Sequence, residues 1–150
     1  MRIVVSACLL GEHCKYNGKS NRNADVLAFV SDHEVIPVCP EVLGGLPVPR
    51  SPAEIVRGRV TTKDGKDVDE AFRKGAEKAL LIAKKEKADI AILQSRSPSC
   101  GVKEIYDGSF TGKKIGGMGV FAQLLKEAGI PVMDAEDVPG NEKKIVSVGV

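Results

Sequence analysis

Three short apolar runs in this chain each lead into a cysteine. Arg2-Ile3-Val4-Val5-Ser6-Ala7 runs into Cys8, and Glu34-Val35-Ile36-Pro37-Val38 runs into Cys39. Asp89-Ile90-Ala91-Ile92-Leu93-Gln94 runs into Ser95-Arg96-Ser97-Pro98-Ser99-Cys100. Brief aliphatic runs rich in β-branched residues suit strands of a parallel sheet covered on both faces. Right-handed crossovers would put the carboxyl ends of such strands on one edge, where open α/β sheets bind their ligands. Three thiols distant in sequence are thereby expected to face one crevice. That donor set suits a soft metal or an iron–sulfur cluster.

The segments between the runs support alternation of strand and helix. Asn23 stands where an N-cap would open a helix over Ala24–Ser31, with Val26, Leu27 and Val30 on one face. Cys8 and Cys39 are about 30 residues apart, roughly the length of one βαβ unit. Asp69–Lys87 is the strongest helical pattern, with Phe72, Ala76, Ala79, Leu80 and Ala83 at helical spacing. Gly116-Gly117-Met118-Gly119 is expected to open a last helix over Val120–Ala128, closed by Gly129. Ile130–Met133 would be a fourth strand and Lys144–Val150 an edge strand. Pro40–Pro52 carries four prolines and is expected to be a structured loop without helix. Arg59–Thr62 is expected to pair with a partner after the Asp64-Gly65 turn. The fold class predicted is α/β: one domain over residues 1–150, a mostly parallel sheet flanked by helices in a Rossmann-like three-layer sandwich.

The 22 basic and 20 acidic residues leave a net charge of +2, too little to argue for nucleic acid. Tryptophan is absent and aromatics are few, so no platform for stacking single-stranded bases is expected. No apolar run approaches the roughly 20 residues that span a bilayer. No basic segment precedes an apolar one as in a signal peptide. A cytoplasmic location follows as the expectation. There thiols stay reduced, so the cysteines are metal-binding, catalytic or buried.

None of the cysteines has the CxxC spacing of a zinc ribbon. Cys8, Cys39 and Cys100 could hold three irons of a 4Fe–4S cluster and leave the fourth open as a Lewis acid. Cys14 is either a fourth ligand or a loop cysteine beside the site. Glu41, two residues after Cys39, is a candidate for proton handling, or else an exposed loop residue. Ser97 and Ser99, with Ser95, offer hydroxyls to sulfide or substrate, although ordinary turns also use such serines. Arg50 could grip an anionic or carbonyl substrate, or pair with Glu54. The close glycines at 116–119 are better explained by packing than by phosphate binding. His13 and His33 read as surface residues.

Several blocks together resemble a known family. They are Ser6-Ala7-Cys8-Leu9-Leu10-Gly11 with Cys14-Lys15-Tyr16-Asn17-Gly18, Cys39-Pro40-Glu41 with Gly44-Gly45-Leu46-Pro47-Val48-Pro49-Arg50-Ser51-Pro52-Ala53-Glu54, Ser97-Pro98-Ser99-Cys100-Gly101, and Gly116–Val120. They look like the thiouracil desulfidases, small bacterial iron–sulfur proteins long labelled a domain of unknown function. Asn17 stands where the family usually carries Asp. The resemblance implies a 4Fe–4S cluster on Cys8, Cys39 and Cys100 and non-redox removal of sulfur from a small thiocarbonyl substrate such as 2-thiouracil. It maps the proton-handling acid onto Glu41 and a serine of the last block onto Ser97. Two other classes compete on the residues alone: a non-catalytic cluster or metal carrier, and a metal-free sulfurtransferase with a cysteine nucleophile.

Overall fold

A computed structural model describes residues 1–139 of the chain. In chain order the elements are β1 (Arg2–Ser6), α1 (Ala24–Val30), β2 (Glu34–Val38), α2 (Pro40–Leu43), β3 (Ala53–Val56), β4 (Arg59–Thr62), α3 (Asp69–Lys85), β5 (Ile90–Leu93), β6 (Glu104–Tyr106), β7 (Lys114–Gly116), α4 (Val120–Glu127) and β8 (Val132–Asp134). Single 3-10 turns follow β1 at Ala7–Leu10 and β8 at Ala135–Asp137.

Four strands form an all-parallel sheet in the order β2-β1-β5-β8. Ile3 aligns with both Val35 and Ile90, and Leu93 with Asp134. Pro37, which cannot donate to a ladder, sits in β2 at the sheet's edge, where that lack is tolerated. The chain leaves β1 toward β2 on one side and later fills β5 and β8 on the other. The order therefore reverses between β1 and β5, and the crevice at their carboxyl ends is the ligand-binding position of an open α/β sheet.

Alternate residues of the strands feed two cores. Val4, Ala91 and Leu93 pack with Phe72, Ala76, Ala79 and Ala83 of α3 and with Phe121 and Leu125 of α4. Ile3, Val5 and Ile92 pack on the other face with Val26 and Val30 of α1 and with Leu9, Ala135 and Val138. Helices on both faces make three layers, as the unbroken aliphatic runs require. α3 fits its place twice over: a small-residue stripe lies against the sheet, and Asp69 and Glu70 at its start oppose Lys84 and Lys85 at its end. No described helix is long and apolar enough to cross a membrane.

Several expectations need correction. Pro40 does not exclude a helix; it opens α2, where its missing N–H would have had no partner anyway. β4 pairs with β3 upstream, Ala53 aligning with Thr62, while the Asp64-Gly65 turn returns the chain only to a single bridge from Thr61 to Asp67. The β6–β7 hairpin gave no sequence signal, because each strand has three residues and none of the alternation that marks a half-buried strand. The fourth strand begins two residues later than expected, at Val132. The Lys144–Val150 strand lies outside the described residues.

Candidate active site

The carboxyl ends of β1, β2 and β5 open on a cavity of about 490 Å³. Cys8, Cys14, Cys39, Glu41, Ser97 and Cys100 all line it. Every described thiol is free. Cys8 sits in the 3-10 turn after β1, and Asn21 donates to its sulfur at 3.5 Å. Cys39 is the residue on which α2 starts. Cys100 is only 3% exposed and belongs to the core between the sheet and α3–α4.

Two glycine contacts set these positions. A Cβ on Gly75 of α3 would stand 1.8 Å from the Pro40 carbonyl oxygen, and one on Gly44 would stand 2.1 Å from that of Ala71. Only paired glycines let α2 lie backbone to backbone on α3, and that contact aims Cys39 and Glu41 at the cavity. At the other wall, a Cβ on Gly119 would meet the Ser99 carbonyl carbon at 2.4 Å. The start of α4 clasps the cysteine block there: Val120 N–H donates to Pro98 O at 2.8 Å and Phe121 N–H to Ser99 O at 2.9 Å. Gly117 and Gly119 thus serve packing, as expected, whereas Gly116 stands in open space.

Glu41 is buried, 9% exposed. Its Oε1 accepts from the Ser99 hydroxyl at 2.5 Å, and its Oε2 lies 3.6 Å from the Cys39 sulfur. Ser99 is fully buried, behind the cavity wall rather than on it. The sequence placed Ser99 with the substrate; the structure seats it between Glu41 and Ser97. Ser97 Oγ accepts from Cys100 N–H at 2.8 Å and from Ser99 N–H at 3.1 Å. It also lies 3.0 Å from Ser99 Oγ. Ser99 has one proton and gives it to Glu41, so Ser97 must donate in that last contact. The hydroxyls therefore form a directed chain from Ser97 through Ser99 to Glu41.

The thiols fall into unlike environments. Cys14 lies beside Cys8 and Cys39, and its single S–H is shared between them. Its donation, helped by Asn21, outweighs burial and lowers Cys8 to about 7. Sharing the same S–H lowers Cys39 as well. Cys14, donating to Cys39 and Cys8, is held far above the ordinary thiol range. Burial, with Glu41 nearby, also pushes Cys100 up. Two thiols are thus poised toward thiolate, while the other two stay protonated until something positive arrives.

Arg50 lines the cavity, but its guanidinium donates to the carbonyls of Cys14 at 3.0 Å and Pro47 at 3.2 Å. It thereby ties the Cys14 loop to the proline-rich segment and forms no ion pair with Glu54, whose carboxylate instead accepts from Gly108 and Phe110 N–H. Asn17 caps a turn, accepting from Lys19 N–H.

A model of the 2-thiouracil desulfurase family matches residues 3–137. The chain belongs to the 2-thiouracil desulfurase family. Among relatives, the uncharacterized protein YbbK of Bacillus subtilis (strain 168) is 42% identical over 146 residues, 91% of this chain and 97% of that protein. The solved structure of the 4Fe-4S-dependent thiouracil desulfidase TudS is 38% identical, with a TM-score of 0.86 over 97% of both chains.

The residues present fit what the desulfurase family implies. Among the described residues no group of three or more His, Cys, Asp or Glu is arranged to hold a single metal ion. Cys8, Cys39 and Cys100 do line one cavity, and soft thiol donors are what an iron–sulfur cluster takes. The sequence missed Asn21, Gln94 and Asp134. Gln94 had a faint signal, as a polar side chain at a strand end; Asn21, in the loop before α1, and Asp134, beyond the expected end of the last strand, had none.

Proposed function

We propose that this chain removes sulfur from a thionucleobase such as 2-thiouracil by hydrolysis, converting C=S plus water into C=O plus hydrogen sulfide. The observation that carries the proposal is a buried carboxylate, Glu41, in one cavity with three strand-end thiols and backed by two ordered hydroxyls. Family membership and likeness to a 4Fe-4S-dependent desulfidase support the same reading. Cys8, Cys39 and Cys100 would hold a 4Fe–4S cluster, and Cys14 would stay outside the ligand set. When bound, the cluster supplies a Lewis-acidic iron that has no protein ligand and can polarise a soft sulfur atom.

The chain's own residues handle protons and orientation. Glu41 takes a proton from the water that attacks the thiocarbonyl carbon and returns it to the departing sulfur, and the second water proton passes from the carbon-bound hydroxyl to the sulfur as C=O forms, so the charge of Glu41 is unchanged over the cycle. Ser99 holds Oε1, which keeps Oε2 toward Cys39 and the cavity. Ser97, at the cavity wall, begins the hydroxyl path to Glu41. Arg50 retains N–H groups beyond those given to the two carbonyls and offers them to a substrate carbonyl.

The test is anaerobic reconstitution with iron and sulfide, followed by incubation with 2-thiouracil. Expected are a brown protein and equal amounts of uracil and sulfide. A brown protein that never releases sulfide from any thionucleobase would favour a carrier. A colourless protein that still turns over would point to a cysteine nucleophile.

A further inference from the structure

β5 ends in two polar residues that the chemistry above leaves unused. Gln94 and Ser95 both line the cavity at the end of a central strand. The Gln94 N–H donates to the Ser6 hydroxyl at 3.0 Å, which fixes its main chain. Its side-chain amide makes no hydrogen bond to any described residue. An amide without a partner in a cavity wall presents an acceptor and two donors side by side.

Ser95 is in the opposite condition. It is 8% exposed, and its hydroxyl donates to Asp134 Oδ1. Asp134, at the end of β8, is 1% exposed, and the same oxygen accepts from Glu136 N–H at 2.8 Å. Its Oδ2 has no partner among the described residues. A buried carboxylate left half-satisfied is costly, so its position calls for a reason. The reason lies in Ser95: with its one proton committed to Asp134, its oxygen can only accept from the cavity. The wall thus offers a paired donor and acceptor at Gln94 beside an acceptor at Ser95.

We propose that Gln94 and Ser95 read the edge of a cyclic substrate, with Asp134 as a positioning residue that acts through Ser95. This rests on the thionucleobase reading above. Gln94 would pair with an adjacent ring N–H and C=O, as one amide pairs with another, and Ser95 would accept from a second ring N–H. In 2-thiouracil the adjacent pair is N3–H with the C4 carbonyl, and the remaining donor is N1–H. The substrate class is therefore a cyclic thioamide with both nitrogens unsubstituted.

The experiment uses the reconstituted protein and methylated probes. Equilibrium binding of uracil, 1-methyluracil and 3-methyluracil is measured beside kcat and KM for the matching 2-thiouracils. The unmodified protein should disfavour each methyl derivative by about tenfold or more, the scale of a lost hydrogen bond with an unpaired partner. Gln94→Ala and Gln94→Glu should reduce discrimination against the 3-methyl compounds to within about twofold, raising KM with little change in kcat. Ser95→Ala and Asp134→Asn should do the same for the 1-methyl compounds, with iron content unchanged. A merely structural role would shift all three ligands alike. Equal binding of all three by the unmodified protein, or variants that keep its discrimination, would overturn the inference. Discrimination without any sulfide release would uphold it and remove the desulfuration reading instead.

Discussion

The two walls of the cavity hold their thiols by different physics. Cys100 is carried by the core: it packs between sheet and helices, and the backbone around it is pinned by Ser97, Gly119 and the first turn of α4. Burial keeps its thiol protonated. Cys8, Cys14 and Cys39 stand on the other wall, half-buried, on turns and at a helix start. There the thiols answer to one another, and Cys14 draws Cys8 and Cys39 toward thiolate. One wall is rigid and resists charge; the other is open and already favours it. On the proposed ligand set, folding pre-places one thiol and leaves two ready to meet a cation.

The largest expected effect separates ligands from neighbours. Cys8→Ser and Cys39→Ser should abolish iron binding while the chain stays folded, because iron needs soft thiolates and neither residue belongs to the main core. Cys14→Ser should keep its iron. Iron per chain after anaerobic reconstitution decides this, and loss of iron in Cys14→Ser alone would overturn the ligand assignment.

Next is the carboxylate that joins the walls. Glu41→Gln should keep the brown cluster and lose turnover by about 10²-fold or more, the scale of a lost acid–base group. Ser97→Ala should lose less, because it shortens the hydroxyl path but leaves the carboxylate. Near-normal turnover in Glu41→Gln would leave Glu41 only the structural role of anchoring Ser99 to α2.

Backbone packing gives a third contrast. Gly75→Ala drives a methyl group into the Pro40 carbonyl and should cost about 3 kcal/mol. For a chain of this size that lowers the thermal midpoint by roughly 10 °C. Gly116→Ala meets nothing within 4 Å and should change stability by less than about 0.5 kcal/mol. Calorimetry of both variants measures how firmly α2 must sit on α3.

The smallest effect concerns thiol reactivity in metal-free protein. The thiolate is the nucleophile, so a lowered pKa speeds alkylation and a raised one slows it. At pH 7.5 Cys8 and Cys39 should react with iodoacetamide about tenfold faster than Cys14 or Cys100. Labelling of Cys8 should fall off as pH drops through about 7, where its thiol regains its proton. Mass spectrometry of timed digests gives the order, and early labelling of Cys14 would contradict its place as donor to the other two.

Much of this was legible in the chain alone. The uninterrupted aliphatic runs at Ile3–Val5 and Ile90–Leu93 required strands covered on both faces, because such residues tolerate water on neither side. Asn23 marked the start of α1 and does cap it. Cys8 and Cys39, just beyond strand ends, were separable from buried core residues by position, whereas Cys100 joins the core and still lines the shared cavity. What stayed hidden depended on contacts distant in sequence. Nothing local in Pro40-Glu41-Val42-Leu43 revealed that two glycines far apart would let it lie as a helix on α3. No spacing rule tied Ser99 to Glu41 or Ser95 to Asp134, since each pair meets only when separate strand ends come together. Residue types and strand ends determined the edge of the sheet on which chemistry would occur. Only the tertiary structure decided which thiols lean toward thiolate, which hydroxyl points which way and which carboxylate is buried, because those depend on burial and partners supplied by the rest of the fold.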